Sequence, residues 1–283
     1  MRVYLGIDGG GTGCRAAVAG PEGRPLGLAT AGPAQAFTDF EGARANVIAA
    51  AEAALDAAGG PAALGELTAA VGIAGANLPE VAERLAAALP FARLRVVSDA
   101  AIAARGALGP DDGVTAALGT GSVFAAQRAG AVRTIGGWGF LIGDQGSGAR
   151  LGRAVVERAL LAHDGLAAAS PLLRALVAEA GGAAGLVARW GQARPGAFAA
   201  LAPRLVEAAA DGDAAAEAAL AAATEDVAAA IAALRPDAAT PVVFLGGLGP
   251  VYAGRLADRF GPAIRPARGS ALDGALAMAR DLA

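Results

Sequence analysis

A carboxylate and a run of glycines stand almost at the start of this sequence, where an apolar, β-prone segment ends at Asp8. The letters GGGTG follow at 9–13, and a second apolar segment begins at Cys14. A turn without side chains lets an oxyanion come close to backbone N–H groups, which Cβ atoms would otherwise screen. The residue types therefore predict strand, glycine turn and strand, with a phosphate group as the ligand of the turn.

Two other glycine motifs fit this stretch less well. A P-loop is excluded because no Gly-Lys-Ser/Thr follows at the required spacing. Residues 11–16 match the dinucleotide pattern G-x-G-x-x-A, but that pattern needs a helix next and an acid about 20 residues later. Neither is found, and the turn signal at 20–23 predicts a β-hairpin instead. A phosphate-binding hairpin remains, with a plain tight turn as the simpler alternative.

The same design recurs further along the chain. Residues 114–126 again predict strand, turn and strand. The glycines and hydroxyls of this turn are Gly119, Thr120, Gly121 and Ser122. The two hairpins each open a run of α/β elements, which predicts two halves related by duplication with a nucleotide between them.

Asp99 lies between the two hairpins. Strands are predicted at 67–75 and 94–99, and helices at 80–89 and 100–108. Asp99 thus ends a strand, where ligands bind in open α/β sheets. Asp is also a favoured helix N-cap, so the sequence leaves both roles open.

Two more glycine-rich segments follow. Residues 135–148 hold six glycines, two aromatic residues and the single acid Asp144, which predicts a ligand-lining loop or a structural Ω-loop. A strand at 240–249 runs into Gly246 and Gly247, where a flat base or ribose could lie against the backbone. The Ala-rich helices predicted between 170 and 239 carry no chemical signal.

Composition limits the functions that remain. The 283 residues suffice for two domains, and the net charge of -3 argues against a nucleic-acid partner. All 23 basic residues are arginine, which excludes lysine nucleophiles and Schiff bases. One cysteine, Cys14, excludes an intrachain disulfide. We find no leader and no membrane-spanning segment in the sequence, so we expect a cytoplasmic protein.

Taken together, these motifs resemble those of the N-acetylglucosamine and glucosamine kinases and the wider BadF/BadG/BcrA/BcrD ATPase group of the actin-like superfamily. The resemblance covers nearly the whole chain: GIDGGGT at 6–12, SDA at 98–100, LGTGS at 118–122 and LGG at 245–247. Most specific is GGWGFLIGDQGS at 136–147, which is similar to the GGWG…GDEGS signature of the amino-sugar kinases. Gln145 replaces the Glu of that signature.

The resemblance implies an α/β fold of two duplicated actin-like (ribonuclease H-like) domains with an interdomain cleft. We expect an N-terminal domain over 1–110 and a C-terminal domain over 111–269. The C-terminal helix within 270–283 is expected to pack back on the first domain.

The resemblance also implies an ATP-dependent kinase that phosphorylates the 6-hydroxyl of an amino sugar, with ATP and Mg²⁺ as cofactors. Asp99 would take the proton from the attacking hydroxyl, and Asp8 would hold Mg²⁺. The implied nucleotide contacts are Gly10, Gly11, Thr12, Gly119, Thr120, Gly121, Ser122, Gly246 and Gly247. The implied sugar contacts are Asn77, Asp99, Gly137, Trp138 and Asp144.

Several alternatives stay open at this point. Glucosamine and N-acetylglucosamine are not distinguished, because Gln35 stands where family members often carry Asn after Gly-Pro. One rival function is an ATPase that activates a 2-hydroxyacyl-CoA or benzoyl-CoA-type reductase or dehydratase; its iron–sulfur cluster needs more cysteines than Cys14. Another is a non-catalytic sugar sensor, which usually adds a helix-turn-helix for which the N-terminus leaves no room. We expect a homodimer that binds a small-molecule sugar and neither nucleic acid nor membrane.

Overall fold

The computed structural model describes residues 3–283. Its strands are β1 (Tyr4–Gly10), β2 (Gly13–Ala19), β3 (Pro25–Ala31), β4 (Thr68–Ile73), β5 (Arg93–Ser98), β6 (Gly113–Leu118), β7 (Ser122–Arg128), β8 (Ala131–Gly136) and β9 (Val242–Leu245). Its helices are α1 (Phe40–Ala57), α2 (Pro79–Ala88), α3 (Asp99–Leu108), α4 (Gly148–His163), α5 (Pro171–Glu179), α6 (Ala183–Trp190), α7 (Pro195–Ala199), α8 (Ala202–Ala210), α9 (Ala214–Leu234), α10 (Gly249–Arg255), α11 (Ala257–Phe260) and α12 (Ala271–Arg280). Short 3-10 turns cover Leu64–Glu66 and Gly261–Ala263.

The first sheet has the strand order β3-β2-β1-β4-β5. β1, β2 and β3 pair antiparallel, and the two-residue turn at Gly11 and Thr12 joins β1 to β2. β4 pairs parallel with β1, and β5 pairs parallel with β4. The carboxyl ends of β1, β4 and β5 therefore lie at one edge of the sheet. That edge carries Asp8 and Asp99.

The second sheet repeats this order as β8-β7-β6-β9, with β6 and β9 parallel. An isolated parallel bridge from Ile264 to Val242 of β9 stands where the first sheet has its fifth strand. The predicted α/β fold with two related halves is confirmed by this repetition.

The chain divides into two compact units. The first holds the chain as far as Gly113, together with Ala125–Arg133 and Pro266–Ala283, and the second holds Val114–Phe124 and Thr134–Arg265. The predicted boundaries after 110 and 269 fall near two of these points and remain predictions. Ala125–Arg133 belongs to the first unit, although its sequence position lies within the predicted second domain.

Helix α12 packs on the first sheet and on α3. Gly6 of β1 faces Leu276, because a Cβ on Gly6 would lie 2.8 Å from the Leu276 nitrogen. A Cβ on Gly106 of α3 would overlap the carbonyl oxygen of Ser270, and one on Gly274 of α12 would overlap that of Ile102. The two helices approach this closely because neither glycine carries a side chain, as close-packed interiors require.

Polar side chains fix where the helices near the predicted site begin. The Ser98 hydroxyl accepts a hydrogen bond from the Ala101 N–H at 3.3 Å and caps α3, and the Ser147 hydroxyl caps α4 in the same way. Asp39 caps α1, so this helix begins at Phe40. Each cap satisfies one of the N–H groups that have no partner within the helix.

Within residues 3–283, no single helix combines the length and apolar character needed to span a membrane; the bent pair α5 and α6 reaches them only when taken together.

Candidate active site

Asp8 is a buried carboxylate paired with one arginine. In the antiparallel register of β1 and β2 it lies directly opposite Arg15, whose guanidinium Nη2 donates to Asp8 Oδ2 in an ion pair. The Arg15 side chain is 64% exposed, so it can turn away from Asp8 into solvent. Our sequence analysis missed Arg15. The hairpin register would have revealed it, because residues equally distant from a two-residue turn face each other.

Asp99 is the first residue of α3 and is half-buried. Its Oδ1 accepts a hydrogen bond from the Ala100 N–H at 2.9 Å. Ser98 is the N-cap of this helix, so Asp99 does not have the capping role that the sequence left open. Burial raises the pKa of Asp99, and the negative charge of Asp8 raises it further. A carboxylate whose pKa is raised towards neutral pH is a better general base than an ordinary one.

Three of the predicted nucleotide glycines stand in open space. A Cβ added to Gly11, Gly119 or Gly247 would meet no heavy atom within 4 Å, and none of the three has a positive φ. Neither neighbouring atoms nor backbone conformation therefore requires glycine at these positions. A bare backbone there suits the close approach of a ligand.

Other predicted nucleotide residues have structural reasons for their identity. Gly246 has a φ of 81°, and a Cβ there would overlap the Leu118 carbonyl oxygen. A Cβ on Gly121 would lie 2.8 Å from Asp144 Oδ2. The buried Ser122 hydroxyl donates to the Gln145 carbonyl at 2.7 Å. The Ser122 proton is therefore committed to the loop, whereas Thr120 is exposed.

Asp144 lies in the glycine-rich loop between β8 and α4. It is buried, and its φ of 58° is unusual for a residue with a side chain. Its Oδ1 accepts a hydrogen bond from the Gly139 N–H at 3.1 Å. Burial raises the pKa of Asp144. Strained backbone at a buried acid is a feature that clusters at functional sites.

The predicted sugar contacts divide between the two units. Asn77 and Asp99 belong to the first unit, and Asn77 is exposed in the turn after β4. Gly137, Trp138 and Asp144 belong to the second unit. Within that unit Gly137 donates its N–H to the Ser122 carbonyl at 3.0 Å, so the loop starts beside the second glycine turn. The Trp138 side chain is largely exposed.

The carboxylate beside the first glycine turn fits a magnesium site in which the phosphates of a substrate supply further ligands. No group of three or more His, Cys, Asp or Glu side chains able to hold a metal ion occurs within residues 3–283. Mg²⁺ commonly binds one or two carboxylates, several waters and the phosphates of a substrate. Asp8, beside the open turn at Gly11, has the chemistry that such a site needs.

Comparison with known proteins decides the family. The sequence model of the BadF/BadG/BcrA/BcrD ATPase family matches residues 5–250. This chain belongs to that family. The resemblance that the sequence motifs predicted is thereby confirmed.

Relatives of this ATPase family member include sugar kinases. It is 35% identical to glucosamine kinase GspK of Vibrio cholerae serotype O1 over 174 residues, which are 61% of this chain and 59% of that protein. The alignment thus spans less than two thirds of that relative. A Chromobacterium violaceum protein described as a candidate N-acetylglucosamine kinase shares 35% identity and a TM-score of 0.88, with 99% of each chain covered.

A more distant structure shows the fold alone. The ROK family glucokinase of Streptomyces griseus, solved with glucose and AMPPNP, has 20% identity to this chain, a TM-score of 0.56 and 99% coverage of both chains. Together with the two related sheets, these likenesses confirm the predicted actin-like, two-domain fold of this ATPase family member.

Proposed function

We propose that this chain is an ATP-dependent kinase that transfers the γ-phosphoryl group of ATP to the 6-hydroxyl of an amino sugar, glucosamine or N-acetylglucosamine. The observation that carries the proposal is the pair of carboxylates Asp8 and Asp99 at one edge of the first sheet, beside an open glycine turn. Membership of an ATPase family and the kinases among the relatives support it.

The backbone supplies the phosphate contacts. The N–H groups of Gly11 and Thr12, and those of the turn at 119–121, would donate to phosphate oxygens. The open backbone at Gly247 would lie against the nucleoside. Asp8 is the residue that would hold Mg²⁺, which when bound neutralises charge on the β- and γ-phosphate oxygens. Arg15 would then be free to leave Asp8, because its side chain already reaches solvent.

Asp99 is the proposed general base. The sugar oxygen forms a bond to the γ-phosphorus while the bond from that phosphorus to the β–γ bridging oxygen breaks, and ADP leaves. The hydroxyl proton passes to the Asp99 carboxylate. Phosphoryl transfer asks little else of a protein beyond positioning and charge stabilisation.

The sugar contacts are proposed from the loop and the turn already described. Asp144 would accept from a sugar hydroxyl, because the Gly139 N–H holds its carboxylate beside the second glycine turn at Gly121. Trp138 and Gly137 would lie along the sugar ring, and Asn77 would donate or accept at a further hydroxyl. The Gln35 side-chain oxygen accepts from the N–H groups of Phe37 and Thr38 at 2.9 and 2.8 Å, so its carbonyl is engaged by its own turn.

An activator of a radical dehydratase is less well supported. Cys14, the one cysteine of the chain, is fully buried in β2, and burial raises its pKa to about 12. A thiol held in its protonated form is a poor ligand for a cluster. The predicted homodimer and cytoplasmic location remain predictions.

A coupled assay of ADP release tests the proposed function. We expect turnover with glucosamine or N-acetylglucosamine and much lower kcat/KM with glucose and N-acetylmannosamine, and the product should carry phosphate on the 6-oxygen by NMR. A chain that binds ATP but phosphorylates none of the four sugars contradicts the proposal. Hydrolysis without a sugar acceptor would favour the activator, and sugar binding without turnover would favour the sensor.

Gly11→Ala is expected to weaken ATP binding without weakening the fold. The methyl group would enter open space in the apo protein but would hold a phosphate away from the turn. Loss of one hydrogen bond to a charged group predicts a KM for ATP raised about 10- to 100-fold. Gly254→Ala, which also points a methyl group into open space, is the matched control. Equal KM values for the two variants would contradict the phosphate role of the turn.

A further inference from the structure

Two hydroxyl groups from different elements hold successive carbonyls of the loop that carries Asp144. Ser122 Oγ donates to the Gln145 carbonyl, and Tyr252 Oη donates to the Gly146 carbonyl, both at 2.7 Å. Ser122 follows the second glycine turn, and Tyr252 lies in α10, which begins two residues after Gly247. All of these residues belong to the second unit.

The Tyr252 contact has little freedom to change. The side chain is fully buried, and burial raises its pKa, so the hydroxyl keeps its proton and remains a donor. Gly146 has a φ of 78°, and a Cβ there would overlap Val227 and lie 3.7 Å from Tyr252 Oη. The loop therefore meets the tyrosine through a backbone position that only glycine fits.

The same loop sets the direction of the Asp144 carboxylate. The Ser147 N–H donates to the Asp144 carbonyl at 3.1 Å, one residue beyond Gly146. Asp144 itself has a left-handed φ. This backbone angle depends on the shape of the loop. A displacement of the Gly146 carbonyl would therefore turn the Asp144 side chain.

The other end of the connection lies at the predicted nucleoside contact. The Leu248 N–H, next to Gly247, donates to the Leu118 carbonyl at 3.0 Å, and the Tyr252 N–H donates to the Leu248 carbonyl at 3.1 Å. Tyr252 thus stands one helical turn beyond the residue that follows Gly247. A ligand that shifts the start of α10 would therefore carry the Tyr252 hydroxyl, and with it the Gly146 carbonyl, along.

We propose that Tyr252 is a positioning residue that links nucleotide binding at Gly247 to the orientation of Asp144, so that nucleotide and sugar strengthen each other's binding. The inference rests on the proposed function, which assigns these two residues to the two ligands. Tyr252 contacts neither ligand and acts through Gly146. Such coupling is reciprocal, since each ligand must change the affinity of the other by the same factor.

Calorimetry on Tyr252→Phe tests the coupling. The phenyl ring keeps the packing and removes only the donor. We measure the Kd of glucosamine and of N-acetylglucosamine with and without saturating AMPPNP. For each sugar, we expect the ratio of its Kd without AMPPNP to its Kd with AMPPNP to fall about 3- to 10-fold in the variant, the worth of one hydrogen bond. The Kd of AMPPNP alone should change less than about twofold.

Tyr4→Phe is the matched control. Tyr4 is the other tyrosine of the chain, is buried in β1, and belongs to the first unit, away from the contacts between Gly247 and Asp144. It should keep the wild-type ratio. An unchanged ratio in Tyr252→Phe would overturn the inference and leave the kinase proposal intact.

Hydrogen exchange decides the inference without any sugar. AMPPNP should slow exchange across residues 139–147 in the wild-type chain and in Tyr4→Phe, and this slowing should be lost in Tyr252→Phe. If Tyr252 only supported the fold, Tyr252→Phe would change the exchange rates by the same factor with and without AMPPNP. Wild-type exchange that does not respond to AMPPNP, or a response kept by Tyr252→Phe, shows the inference to be wrong whatever the kinase assay gives.

Discussion

Asp99→Asn is expected to lower kcat for phosphoryl transfer to the sugar by about 10²- to 10⁴-fold, the usual loss when a general base is removed. The asparagine oxygen can still accept from the Ala100 N–H, as Asp99 Oδ1 does, so the start of α3 should be unchanged. Nucleotide binding should persist, because no phosphate contact is assigned to this residue. Steady-state kinetics and calorimetry with AMPPNP measure the two quantities.

The pH dependence of kcat/KM gives a second readout of the same residue. Burial and the charge of Asp8 raise the pKa of Asp99 above its ordinary value of 3.8. The base must be ionised to act, so activity is present above the raised pKa and is lost as the pH falls through it. Asp39→Asn is the matched control for Asp99→Asn. It makes the same exchange at the N-cap of α1, and asparagine caps a helix as well as aspartate does. Near-normal turnover in Asp99→Asn would remove the catalytic assignment.

Gly106→Ala is expected to lower the free energy of unfolding by about 2–3 kcal/mol, the cost of overpacking a close contact. The added methyl group would overlap the Ser270 carbonyl oxygen of the backbone, which cannot rotate away as a side chain could. Helix α12 would have to move off α3. Urea denaturation measures the change as a lower midpoint at unchanged m-value.

The sign of the change in the free energy of unfolding distinguishes a packing effect from an effect of helix propensity. In an open helical site the same exchange stabilises by roughly 0.5–1 kcal/mol, because alanine loses less backbone entropy than glycine. Gly254→Ala in α10 is such a site. If Gly106→Ala were as stable as that control, the close approach of α3 and α12 would be wrong.

The sequence predicted the features of the fold that depend on local chemistry. The two glycine hairpins predicted the repeated strand order, because each turn marks the same step in a related sheet. The strand predicted over 94–99 is β5 (Arg93–Ser98), and Asp99 follows it directly as the first residue of α3. What the sequence left open was the task of its carboxylate, and only the Ser98 hydroxyl bond to Ala101 showed that another residue caps the helix.

Other features depend on contacts that spacing does not reveal. Tyr252 meets Gly146 across 106 positions of sequence, and no periodic pattern joins them. The Ser122 hydroxyl matched a phosphate motif in type and position, yet it donates to the Gln145 carbonyl. The contact of Ser122 with a nucleotide phosphate remains a prediction, as do the roles of the other proposed site residues.

The contact between Gly6 and Leu276 also bears on how the protein is made. The two residues are 270 positions apart (276 minus 6), and the ribosome adds about 5–20 residues per second. The face of β1 that α12 covers therefore stays without its helix for roughly 15 to 50 seconds at those rates. All of Val114–Phe124 and Thr134–Arg265 is synthesised in that interval. The first unit, although it begins first, completes its core only after the whole second unit has been translated.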